Sequence, residues 1–251
     1  MRNMTETVKQ LIIINFLFFA GTYLLGEPEP VYKILSLYFP ENTHFKVWQP
    51  LSHMFMHGGF MHIFFNMFAL YSFGSTLEQR WGSSKFLFFY ISCGLGAALL
   101  HTGVNYYFFQ SGIDALASNS FTKAEVMQLL QQGQVNPKWQ EAMSPTAFYN
   151  FVSAYGGTAV GASGAIYGVM VAFAFMFPNV EMFMMFVPIP IKAKYFVPAV
   201  LLLDLYSGIV GKSVLGGGSG IGHFAHIGGA LVGFLMMWYW KKNQFNKNRW
   251  N

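Results

Sequence analysis

Charge is scarce in this sequence. Only 10% of its 251 residues are Asp, Glu, Lys or Arg, whereas a water-soluble domain carries about 25%. So few charges cannot solvate a chain of this length, and a soluble globular domain is excluded. Cysteine is nearly absent: Cys93 stands alone inside an apolar run, so no intrachain disulfide forms and the redox compartment is not readable. The net charge of +5 is not gathered into one patch, which argues against a nucleic-acid surface. There is no internal repeat and no low-complexity tract. No His-Glu-x-x-His segment occurs, and Asp204 is the only carboxylate candidate at membrane depth, so a metal site of the metalloprotease type has no support. No cofactor motif appears, and none is expected. What the chain has instead is apolar bulk, with 54% hydrophobic residues, 28 Phe and 15 Met. This is the composition of an integral membrane protein whose main partner is the lipid bilayer.

Six apolar runs read as spans of about 30 Å of hydrocarbon, at roughly Leu11–Leu25, Phe60–Leu77, Phe86–Phe109, Gly157–Phe177, Tyr195–Gly211 and Ile221–Trp240. The fold class is therefore an all-α bundle of six membrane helices. Arg2 and Lys9 precede the first run as in a signal peptide, but no small-x-small cleavage site follows it. It is kept as a span. With the N-terminus cytoplasmic, ten of the fifteen basic residues fall in inner segments, including Arg80, Lys85, Lys192, Lys194, Lys241 and Lys242. The positive-inside rule then places both termini in the cytoplasm. The expected organisation is a short N-terminus (1–10), a six-helix domain (11–240) and a basic tail (241–251). The expected location is a multi-pass position in a bacterial inner membrane. A first outer loop, about Glu27–Gly59, mixes aromatic and polar residues and suits the interface. A second outer segment, about 110–156, contains the capping box Thr122-x-x-Glu125 followed by Val126, Leu129 and Leu130. With Gly133 as C-cap, it predicts a short external helix over Thr122–Gln132.

Ionisable and polar groups at membrane depth are costly and so are functional candidates. They are few: His53, His57, His62 and Asn66 around the start of the second span, His101 in the third, Asp204 in the fifth, His223 and His226 in the sixth. The second, fourth and sixth spans all run from outside to inside. His62, Ser163 and His226 each lie a few residues in from the outer end, so at 1.5 Å per residue they share a depth. Ser163 alone is more simply a small packing residue. Its helix, however, carries Gly164 and Gly168 four apart, and the sixth span repeats the rhythm with Ala225, Gly229 and Gly233. Such stripes let helices approach closely, as a Ser163–His226 hydrogen bond requires.

These residues fall into motifs that resemble the rhomboid intramembrane serine proteases. The Gly-x-Ser-Gly motif stands as Gly161-Ala162-Ser163-Gly164, with Tyr167 four residues after the serine. The Ala-His motif with its glycines stands as Ala225-His226-Ile227-Gly228-Gly229 and Gly233. His57, His62 and Asn66 match the second-span pattern, and Glu78–Gly82 resembles the turn after it. The resemblance implies a Ser163–His226 dyad without a third carboxylate and an acyl-enzyme. It implies an oxyanion site of His62, Asn66 and the Ser163 backbone N–H, with Tyr167 orienting the base. Gly161, Gly164, His57, Gly229 and Gly233 would be structural supports, with neither cofactor nor metal. The implied partners are transmembrane segments of other proteins, cut near their outer end and admitted past the fifth helix and the glycine-rich loop Lys212–Gly220. An idle scaffold of the same fold and a membrane metalloprotease are the alternatives. Many relatives carry Trp-Arg in the first outer loop where this chain has Trp48-Gln49, which puts that loop's usual contacts in doubt. Asp204 is expected to make a structural hydrogen bond, with a role in the mobility of the fifth helix. His53 and His101 are expected to be structural, and His223 merely interfacial.

Overall fold

A computed structural model describes residues 4–24, 27–184, 187–210 and 221–247. It is built almost wholly of helices. In chain order they are α1 (Glu6–Leu24), α2 (Pro28–Leu35), α3 (Gln49–Ser52), α4 (Phe60–Ala69), α5 (Ser75–Trp81), α6 (Ser83–Ala117), α7 (Lys123–Gln131), α8 (Pro145–Gly156), α9 (Ser163–Met176), α10 (Ala193–Val210) and α11 (Ile221–Lys247). One antiparallel hairpin, β1 (Glu181–Met184) with β2 (Val187–Lys192), joins α9 to α10 and departs from a purely helical fold. The loop Lys212–Gly220, to which the sequence reading assigned the gate, lies outside the described residues.

Several helices have the length and apolarity of membrane spans, namely α1, α6 and α10, with α9 apolar but shorter. Their outward faces carry large bare side chains such as Leu17, Leu99, Leu202 and Ile209. Lipid is as apolar as these residues, so nothing drives them inward. The core is held by close packing, with α6, α9 and α11 making the most extensive helix contacts. Where glycines meet, the backbones nearly touch. A β-carbon on Gly229 would lie 1.8 Å from the Gly164 carbonyl oxygen, and one on Gly168 would lie 2.3 Å from Cys93 Sγ. On the third helix Ala97 completes the seam, 2.4 Å from the same hypothetical atom on Gly164.

The helix limits differ from the expected spans in two instructive places. The third helix does not stop near Phe109 but continues to Ala117, because Phe109, Ile113 and Leu116 enter a second apolar core outside the bundle. There they meet Phe39, Trp139, Phe151 and Tyr155. The fourth is shorter than expected: residues 157–162 are not helical, Ala159 pairs with Leu37 in a β-bridge, and the helix starts at Ser163. Its 14 residues span about 21 Å at 1.5 Å each. The serine is therefore the first residue of its helix.

The outer segment folds as a cap. The Thr122/Glu125 capping box forms as expected, and Gly133 adopts φ 70° just beyond the C-terminus of α7. Helix α8, opened by the Ser144 cap and Pro145, was not anticipated. The first outer loop is organised by Gln49, which is fully buried. Its amide donates to the carbonyls of Lys33, Ile34 and His44, and its Oε1 accepts from the Tyr38 N–H. Four bonds from one amide thus do the work that the missing arginine left in doubt.

At the opposite end, just past the apolar run of α4–α5, Glu78 fastens α1 to the bundle. Its carboxylate accepts from Thr5 Oγ1, from the Thr7 and Val8 N–H groups and from Ser83 Oγ. Burial alone raises the pKa of a carboxyl, but the bonds from Thr5, Ser83 and Thr7 outweigh it and hold Glu78 at about 2, against an ordinary 4.5. A depressed pKa stabilises the fold above the unfolded value, and that contribution is lost as pH falls from about 4.5 toward 2. Glu78→Gln is expected to lower stability at pH 7 by about 2–3 kcal/mol. Denaturation in mild detergent should show the gap between variant and wild type closing toward pH 2.

Candidate active site

The site is assembled by the glycine seam between α9 and α11. Ser163 is the first helical residue of α9, so helix geometry gives its N–H no intrahelical partner. With the two backbones in contact at Gly164 and Gly229, the His226 ring reaches across, and its Nε2 lies 2.9 Å from Ser163 Oγ. Tyr167, one turn further along α9, stacks on that ring at 4.3 Å between centroids and 13° between planes. The stack fixes the plane in which the imidazole lies.

The other wall is α4. His62 Nδ1 accepts the Gly58 N–H at 3.3 Å, which leaves the ring proton on Nε2. That nitrogen points at Gly161: a β-carbon there would lie 2.8 Å from His62 Nε2 and 3.5 Å from Ser163 Oγ. Gly161 also has φ +123°, a conformation that side chains rarely adopt. A side chain at 161 would thus be strained and would fill the space between His62 Nε2 and Ser163 Oγ. Asn66, one turn below His62, donates one amide hydrogen to the His62 carbonyl at 2.9 Å and keeps a second. These groups line a cleft of about 350 Å³ that includes His62, Asn66, Ser163, Tyr167 and His226. A polar atom placed there would face the His62 Nε2–H, an Asn66 N–H without a partner among the described residues and the N-terminus of α9.

The remaining sequence candidates separate into two groups. His57 is buried behind His62, its ring edge-on to the His62 ring at 5.1 Å, while its carbonyl accepts from the Tyr32 hydroxyl. His53 is buried against the Gln49 carbonyl, and its own carbonyl accepts the Gly161 N–H. His101 pairs with Asn105 on α6. In the second group Asp204 makes the hydrogen bond expected of it, but His223 departs from its expected place. His223 is not a bystander at the interface: its Nδ1 is hydrogen-bonded to Asp204 Oδ1 on α10, and the same oxygen lies 3.3 Å from His226 Nδ1. The ligand-type atoms of Asp204, His223 and His226 lie within 4.8 Å of one another, a grouping with donors suited to a metal ion. The i,i+3 spacing of the two histidines was the available signal, but nothing in the sequence says which residue of α10 faces them.

A bundle of apolar helices with serine, imidazole and hydrogen-bond donors meeting in one cleft defines a class of membrane protein with an internal polar site. The Rhomboid domain model matches residues 44–135 and 139–243. The chain belongs to the rhomboid family. It is 25% identical to the mitochondrial Rhomboid protein 1 of Saccharomyces cerevisiae over 188 residues, covering 75% of this chain and 40% of that protein. It is 28% identical to Rhomboid-like protease 1 of Toxoplasma gondii over 105 residues, 39% of this chain and 36% of that protein. It is 35% identical to Rhomboid protease GlpG of Klebsiella pneumoniae over 75 residues, 30% and 27% of the two chains. The matched region thus spans two fifths or less of each of these curated relatives.

Proposed function

We propose that this protein is a six-span intramembrane serine endopeptidase with both termini cytoplasmic, which cleaves transmembrane segments of other membrane proteins near their outer end. The observation that carries the reading is the 2.9 Å contact between Ser163 Oγ and His226 Nε2, facing a pocket of donors. Ser163 Oγ attacks the scissile carbonyl while His226 Nε2 takes its proton. The tetrahedral oxyanion is held by the His62 Nε2–H, Asn66 and the Ser163 N–H, in a poorly hydrated cleft where such donors act strongly. Collapse expels the amine, which takes the proton back from His226, and water then hydrolyses the acyl-enzyme by the same route. A neutral imidazole suits this depth because it is cheaper to bury than a carboxylate base.

The test uses the purified protein in detergent with a reporter containing one transmembrane helix. Wild type should cleave the reporter and be labelled by a fluorophosphonate, Ser163→Ala should do neither, and a chelator should change nothing. Cleavage retained in Ser163→Ala would refute the reading, and cleavage lost to the chelator would replace it with metal chemistry.

A further inference from the structure

The site holds one charged group that a Ser–His pair does not use. Asp204 lies six residues before the end of α10 as described, about 9 Å along the axis, and is 7% exposed. A buried carboxylate at membrane depth is expensive. Packing does not explain it, since its neighbours on α10 are apolar or small. Its register is set by Gly208, one turn further on, where a β-carbon would come within 3.1 Å of the Phe224 ring. Phe224 lies between the two histidines, so this contact turns Asp204 toward both.

The hydrogen-bond chain has a direction. A carboxylate oxygen only accepts, so both imidazoles donate to Oδ1 from Nδ1–H. His226 with its proton on Nδ1 has a bare Nε2, and that nitrogen is the one facing Ser163 Oγ. The tautomer required of a base is the one the carboxylate selects. When His226 takes the serine proton it becomes a cation, and the only carboxylate among the described residues bonded to it is Asp204. His223 clamps the same oxygen from the other side.

We propose that Asp204 is a positioning residue for the base, so that Ser163, His226 and Asp204 form a relay running across α9, α11 and α10. This rests on the protease reading above. It replaces the expected dyad with a three-part arrangement and places its third member on a different helix from the other two. Asparagine at 204 keeps the shape but lets an amide N–H donate to His226 Nδ1, which moves the ring proton onto Nε2 and disables the base.

The experiment compares full-length wild type, Asp204→Asn, Asp204→Glu and Ser163→Ala in detergent, reading kcat and KM on the transmembrane reporter and the rate of fluorophosphonate labelling. Asp204→Asn should lower kcat by about 10–100-fold, less than in a fully buried triad because the 3.3 Å contact is long. KM should change less than about twofold, labelling should slow in step with kcat, and Asp204→Glu should recover part of the loss. If Asp204→Asn keeps kcat while Ser163→Ala is dead, the inference falls and the protease reading stands. If wild type neither cleaves nor labels, both fall. Loss of wild-type activity with a chelator would make Asp204, His223 and His226 a metal site and overturn the relay. Should Asp204→Asn not fold, the ¹⁵N spectrum of His226 in wild type decides. A neutral ring protonated on Nδ1 supports the relay, and one protonated on Nε2 overturns it.

Discussion

Removing His226 should reduce cleavage by on the order of 10⁴-fold or more, and removing Ser163 as well should cost little further. A serine hydroxyl is a weak nucleophile unless its proton has somewhere to go at the moment of attack. Here the acceptor is one nitrogen at 2.9 Å. Among the described residues no neighbour can stand in for it. His62 Nε2 is turned toward the same space, but its Nδ1 is already accepting from Gly58, so Nε2 donates. Asp204 is on the far side of the His226 ring. The measurement is a set of single-turnover cleavage rates for His226→Ala, Ser163→Ala and the double variant. All three should sit on the same floor, because base and nucleophile act as one unit. The fold should survive, since Asp204 keeps His223 as a partner and the lost stack on Tyr167 is worth only about 0.5–1.5 kcal/mol. A double variant slower than either single by the product of their effects would show that the two act independently and would break the assignment.

How much of this was legible beforehand depends on what kind of signal each residue leaves in a sequence. The helical membrane class was written in composition and run length. The closeness of Ser163 and His226 was written in glycines, because a seam of small residues four apart serves helices whose backbones must touch. The capping box of α7 was legible for a similar reason, since its bonds are local. What failed was non-local. Helix α6 continues past the expected membrane boundary because Phe109 packs on Phe39, 70 positions earlier in the chain, and Ile113 and Leu116 join the same cluster. The start of α9 was set too early, since residues 157–162 are not helical and Ala159 among them bridges to Leu37. Gln49 carried no visible instruction to hold a loop together, and its four partners lie between 5 and 16 residues away. The largest miss was His223 with Asp204. A carboxylate in one span and a histidine in the next are each readable as costly, but their meeting depends on the rotation of two helices about their axes. Gly208 sets that rotation through a contact with Phe224, and a small residue in an apolar helix announces no particular partner.

Gly229→Ala should abolish more activity than any substitution outside the cleft. The added β-carbon would lie 1.8 Å from the Gly164 carbonyl oxygen and 3.3 Å from that of Cys93, and backbone oxygens cannot swing aside as a side chain can. The helices must separate by an ångström or more. Overpacking of this kind costs about 1–3 kcal/mol, occasionally more, but the larger effect is geometric. Gly229 lies three residues from His226 and its contact is with the residue after Ser163. Separation at that level therefore lengthens the 2.9 Å Oγ–Nε2 contact directly. Misplacement by about 1 Å costs around 100-fold in rate, so cleavage should fall by at least that factor even in protein that remains folded. Gly222→Ala on the same helix is the control: its β-carbon would meet nothing within 4 Å among the described residues, and alanine is the better helix former. Thermal unfolding and cleavage measured side by side should show Gly222→Ala at or above wild type and Gly229→Ala far below it. Equal behaviour of the two would mean that α9 and α11 do not touch at this seam, and the distance on which the Ser163–His226 pair depends would lose its support.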